Sequence, residues 1–95
     1  MDWGTAVFEW DEAKRRSNLG KHGIDFRDAA QALGTSPQLT YDSSRGEEKR
    51  HVGIVEINGL LVAIVHTWRG EAVRIISARR ARGREERDYR ALFGR

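Results

Sequence analysis

Cysteine is absent from the chain, which excludes disulfide staples, a Cys-ligated zinc and an iron–sulfur site, and leaves the fold to stand on packing alone. Long apolar runs are missing too. The longest, Leu60 to Val65, is far too short to span a bilayer, and the first ten residues carry acids where a signal peptide would be basic and then apolar. The expectation is a soluble, cytoplasmic protein with no membrane partner. The three histidines are not spaced as a metal site, so neither a metal nor a cofactor is expected. Internal repeats, low-complexity tracts and long linkers are also lacking, and residues 1–95 read as one domain. A chain of this length buries only roughly two-thirds of its unfolded surface, which argues against a deep, enclosed site.

What the sequence has in excess is arginine, concentrated at one end. From Arg69 to Arg95 nine arginines stand against four acids, a net of +5, whereas the first 68 residues hold eight basic and ten acidic residues, a net of −2. Every basic residue in the C-terminal third is arginine, whose planar fork matches phosphate oxygens better than a lysine point charge. An anionic partner follows from that pattern. The plainer alternative is a helix with a solvated charged face and a few salt bridges.

The order of elements points to an α+β fold. Val7 to Trp10 reads as a short strand, after which Asp11 can cap a helix running to about His22, ended by Gly23. A second helix starts at Asp25, with Asp28 completing a capping-box-like pair and Phe26, Ala29, Ala30 and Leu33 on one face; Gly34 and Pro37 close it. A strand around Gln38 to Tyr41 precedes a polar loop, Asp42 to Lys49. The clearest β signal comes next: His51 to Ile57, the turn Asn58-Gly59, Leu60 to Trp68, a turn at Arg69-Gly70, and Glu71 to Ala78. Helix formers from about Arg80 to Phe93 place Ala81, Glu85, Tyr89 and Leu92 on one face. The expected architecture is an antiparallel sheet with a three-stranded C-terminal meander, two N-terminal helices and one C-terminal helix.

Several of these residues can do chemistry. RNA is cut without a metal when a base removes the 2′-hydroxyl proton, cations hold the phosphorane-like transition state, and an acid protonates the leaving 5′-oxygen. Arg69 in the hairpin turn, Arg74 on the last strand, and Arg79 and Arg80 at the strand-to-helix junction can supply the cations. Hairpin pairing brings His66 within one or two residues of Arg74, and histidine titrates nearest neutral pH, so His66 is the candidate for proton transfer. Its plainer role is a partly buried strand residue among Ile64, Val65 and Trp68. Lys21 and His22 could reach a phosphate, or could simply complement the helix dipole. Glu85 and Tyr89, one turn apart, could meet substrate; a carboxylate on an apolar face needs a partner, and an Arg–Glu clamp fastening helix to sheet is the structural alternative. Trp3 and Trp68 could stack on bases, while Trp10 reads as core.

Phe8-Glu9-Trp10-Asp11, Asn18-Leu19, Lys21-His22-Gly23, Phe26 with Ala29-Ala30, His66-Thr67-Trp68-Arg69-Gly70, and Arg74 to Arg79 with Glu85 and Tyr89 together resemble the BrnT toxin family. The resemblance runs from Val7 to Tyr89. It implies a RelE-like fold in a single BrnT-like toxin domain, and a ribonuclease that halts translation by cutting RNA, on the ribosome or off it. It also implies a BrnA-like ribbon-helix-helix antitoxin as partner, with operator DNA met only through that antitoxin. The family's active surface would fall here on Arg69, Arg74, Arg79 and Arg80. One departure stands out: where family members commonly carry a small hydroxyl residue after the junction, this sequence has Arg82, followed by the helix-weakening Gly83. Outside that resemblance, the same arginines suit a non-catalytic RNA- or ribosome-binding domain, or a partner subunit that docks an acidic protein.

Overall fold

A computed structural model of the chain describes residues 3–94. A 3₁₀ turn at Trp3–Thr5 leads into β1 (Val7–Glu9), followed by α1 (Glu12–His22), α2 (Phe26–Thr35), β2 (Leu39–Asp42), β3 (His51–Ile57), β4 (Leu60–Arg69), β5 (Ala72–Arg80) and α3 (Gly83–Phe93). The α+β class and the C-terminal meander are as expected. The strands lie in the order β1-β5-β4-β3-β2. Every neighbouring pair is antiparallel except β1 with β5, so the sheet is mixed rather than antiparallel throughout. Among the described residues, no helix is long and apolar enough to cross a membrane.

Local chemistry explains most element ends. Asp11 caps α1 by accepting from the Lys14 N–H, and α1 stops at Gly23 in the left-handed region. Asp25 caps α2 by accepting from the Arg27 N–H rather than in a reciprocal box with Asp28. Its carboxylate also takes the Arg15 and Arg27 guanidinium groups, which ties the two helices together. Contrary to expectation, α2 continues through Gly34, because the Ser36 N–H still reaches the Ala32 carbonyl and extends the helical ladder. Asn58 (φ 51°) and Gly59 (φ 82°) form the tight turn between β3 and β4 that their sequence demands.

Two layers cover the sheet unequally. The face under α1 and α2, the helical face, packs Phe26, Ala29 and Leu33 against Val55, Val62, Ile64 and Ile75. Gly53 lies on this face because it must: a Cβ there would come within 3.0 Å of Leu33 and Gln38 and 3.3 Å of His66. On the opposite face, Tyr89 and Phe93 of α3 pack on Val52, Ile54, Leu61 and Ala63. Since α3 sits over β2 and β3, the β1–β5 side of that face stays open among the described residues.

The outer edge of β5 is completed by a side chain. Parallel β1 pairs only with Ala72 to Arg74, so among the described residues the rest of that edge has no neighbouring strand. Asn18 of α1 takes over: its Oδ1 accepts from the Ala78 N–H (3.1 Å), and its Nδ2 donates to the Ala78 carbonyl (2.9 Å) and the Ile24 carbonyl (3.0 Å). The amide thus copies the bond pair a further strand would make. Helix α1 buries little apolar surface, so this polar contact is a main tie to the sheet.

Candidate functional site

Arg74 and Arg79 are five residues apart, and in an unbroken strand an odd spacing puts two side chains on opposite faces. The register between β4 and β5 corrects this. Val65 pairs with Ser77 but His66 pairs with Ile75, so Ile76 is an extra residue on β5. The bulge resets the alternation. Arg74, opposite Thr67, and Arg79, opposite Ala63, therefore share the open face, where Arg69 joins them from β4. Glu9, the β1 partner of Arg74, completes the row.

Two ion-pair centres occupy this face. In the first, Arg74 Nη1 donates to Glu9 Oε2 at 2.8 Å, and Arg69 Nη1 stands 3.9 Å from the same oxygen. The side chains of Arg74 and Glu9 are about a third exposed (30% and 38%), and Arg69 more so. In the second, Arg79 donates from Nη1 and Nη2 to the two oxygens of Glu85 at 2.8 and 3.0 Å, and Glu85 Oε1 also accepts from the Arg82 N–H at 2.7 Å. These bonds hold the Glu85 carboxyl below its ordinary range and lift the Arg79 guanidinium above its own, against the opposing effect of burial. Glu85 and Arg79 thus form the clamp that fastens α3 to the sheet. Half-buried Val65, Thr67 and Ser77 floor the space between the two centres.

The junction differs from expectation. Arg79 and Arg80 end a strand, because the ladder with β4 extends to Ala63 and Val62. Helix α3 consequently begins at Gly83, with Ala81 outside it, its N–H bonded to the Leu61 carbonyl, and with Leu92 exposed. An arginine side chain cannot accept a hydrogen bond as a hydroxyl residue would. Glu85 instead satisfies the N–H of Arg82, the N-cap residue.

The remaining sequence candidates lie elsewhere. His66 pairs with His51 and Ile75 on the helical face and is 1% exposed, packed edge-on to Trp3 at 5.5 Å. Arg74 is its near neighbour in register, as expected, but projects from the opposite face. Arg80, exposed, pairs with Val62 and also belongs to the helical face. Lys21 and His22 are exposed in the last turn of α1, on that same side. Tyr89 is buried against Phe93, and Trp3 and Trp68 pack on each other at 4.9 Å. Sequence reasoning missed Glu9, whose partner strand is remote in the chain, and Tyr41, whose hydroxyl donates to Asp88 at 2.6 Å. That bond, with burial, pushes the Tyr41 hydroxyl up to about 12.

Burial, with a smaller contribution from His51, holds the pKa of His66 below the ordinary 6.5, although the Ile64 carbonyl opposes the shift. Below that ordinary value the unfolded chain binds a proton that the folded chain refuses, so stability must fall as the pH drops toward the lowered value. Tm measured from roughly pH 7 down to pH 5 should decline, and His66→Gln should flatten the decline. An equal slope in both proteins would assign the acid sensitivity to other groups.

A mixed sheet with two helices over one face, a third over part of the other, and arginines around a carboxylate on the remainder of that second face defines a small α+β protein. The chain matches the family model described as ribonuclease toxin, BrnT, of type II toxin-antitoxin system over residues 10–85, and it belongs to that family. The match includes Arg69, Arg74, Arg79 and Glu85, and stops short of Glu9 and Tyr89 on either side. No curated protein matches the chain. The family is one of ribonuclease toxins, and an antitoxin is the counterpart that its type implies.

Proposed function

We propose that this toxin is a metal-independent endoribonuclease that stops translation by cutting RNA on the open face of its sheet. The observation that carries the reading is the bulge at Ile76, which brings Arg74 and Arg79 onto one uncovered face beside Arg69 and Glu9. Arg69 and Arg74 hold the non-bridging oxygens of the scissile phosphate, as preorganised donors aimed at developing charge. The Glu9 carboxylate takes the 2′-hydroxyl proton, the 2′-oxygen attacks phosphorus, and the bond to the 5′-oxygen breaks, with water protonating the leaving oxygen. The products are a 2′,3′-cyclic phosphate and a 5′-hydroxyl. Arg79, committed to Glu85, positions α3 at the border of this surface and adds positive potential. His66 and Arg80 belong to the other face, so neither enters the proposed machinery.

Metal independence is supported by the donor set: cysteine is absent, His22 ends α1, and His51 and His66 point into the helical face. A BrnA-like ribbon-helix-helix antitoxin that covers Arg69, Arg74 and Arg79 would block substrate and neutralise the basic segment in one step. The purified chain should cut RNA in EDTA, leaving cyclic phosphate ends, and its expression without the antitoxin should arrest growth. Cleavage abolished by chelation and restored by a divalent ion would overturn the mechanism. Unimpaired growth with folded protein present would overturn the toxin reading.

A further inference from the structure

Beside the arginine row, between the first turn of α3, the end of β2 and the start of β3, runs a groove of about 390 Å³ lined by Tyr41, Asp42, Val52, Arg82, Arg84 and Glu85. Its apolar wall is Val52 with the Tyr41 ring. That ring is anchored, because its hydroxyl is held by Asp88 and kept protonated. The rim carries two exposed arginines, Arg82 and Arg84, beside the exposed Asp42, and Arg84 is only loosely paired, 3.9 Å from Asp88. Among the described residues the Arg82 side chain makes no ion pair within 4.0 Å, although its charge helps to hold the Glu85 carboxyl low. The groove continues into the open face in two ways. Glu85, on its wall, is the residue clamped by Arg79, and Val52 is in register with Val65 and through it with Ser77. Two strand spacings, about 10 Å, separate Val52 from Ser77.

From this arrangement we infer that the groove is a nucleobase subsite, which holds an unstacked base of the RNA close to the phosphate being cut. A base offers a flat apolar surface to the Tyr41 ring and to an arginine plane, while its own phosphate meets Arg82 or Arg84. Single-stranded substrate is thereby favoured, since a base paired in a duplex cannot leave its stack without cost. Cleavage acquires a sequence preference at this nucleotide, set by the groove rather than by the arginine row.

The subsite rests on the reading of the chain as an enzyme that cuts RNA, and one experiment separates the two. A set of single-stranded oligonucleotides, each with one base removed and its backbone intact, is scanned across the cleavage position with the full chain, in binding and single-turnover cleavage. One position should lose roughly ten- to a hundredfold in affinity, as expected for one stacked base, with the rate at saturating enzyme little changed. Tyr41→Leu should erase that penalty, making intact and abasic substrates equal, and Arg82→Ala should reduce it; Arg87→Ala should leave it as it is. The scan on the parent chain decides the matter even if Tyr41→Leu folds poorly. Cleavage by the parent with no position sensitive to base removal, or a penalty that survives Tyr41→Leu and Arg82→Ala, would overturn the subsite alone. A parent chain that neither binds nor cuts RNA would remove both readings together.

Discussion

Glu9→Gln should bind RNA as the parent chain does and cut it a hundred- to ten-thousandfold more slowly, the range lost with a positioned general base. The amide is nearly the shape of the carboxylate and keeps an oxygen to accept from Arg74 Nη1, so the 2.8 Å contact that holds the guanidinium can survive. What disappears is the ability to take a proton. Glu9→Asp keeps that ability on a shorter arm and should recover part of the rate. The comparison distinguishes a proton acceptor from a residue that only orients Arg74: in the second case Gln would serve nearly as well as Glu, and Asp would be no better than Gln. Single-turnover rates beside equilibrium affinities supply the reading.

Asn18→Ala should cost roughly 2–4 kcal/mol of stability, which for a domain of this size lowers Tm by roughly 10–20 °C. The change leaves the Ala78 N–H and carbonyl and the Ile24 carbonyl without the partner they share. Asn18→Asp should do no better, because a carboxylate cannot donate to the two carbonyls and would be repelled by both. Thermal unfolding of the three proteins at one pH tests this. A loss below about 0.5 kcal/mol for both variants, the usual range of a surface change, would mean that water replaces the amide and that α1 is held by other contacts.

Local chemistry was the legible part of the sequence. Asp11, Gly23, Asp25 and the Asn58-Gly59 turn each mark an element end where a cap or positive φ is required, and the meander followed from them. Features set by distant pairing were not legible. Nothing near Glu9 in the sequence signals that β1 lies parallel to β5, which is what brings its carboxylate to Arg74. Nothing in the run from Ala72 to Arg80 marks Ile76 as the extra residue, yet that residue decides which arginines share a face. Helix propensity around Arg80 lost to the ladder with Val62, so α3 began three residues late. The alternation of β4 held a clue that was available: His66 is in phase with Val62 and Ile64, the buried side of the strand, and out of phase with Arg69.

If RNA is cut on the open face, arginines from the two faces should respond differently to the same substitution. Single-turnover cleavage is measured for Arg69→Lys and Arg74→Lys beside Arg80→Lys and His66→Gln, all confirmed as folded. Lysine keeps the charge and loses the bidentate fork, so the first two should slow by roughly a hundred- to a thousandfold, while the second two stay within a few-fold of the parent. Large losses for Arg80→Lys and His66→Gln, with Arg69→Lys and Arg74→Lys unaffected, would place the chemistry on the helical face and contradict the account.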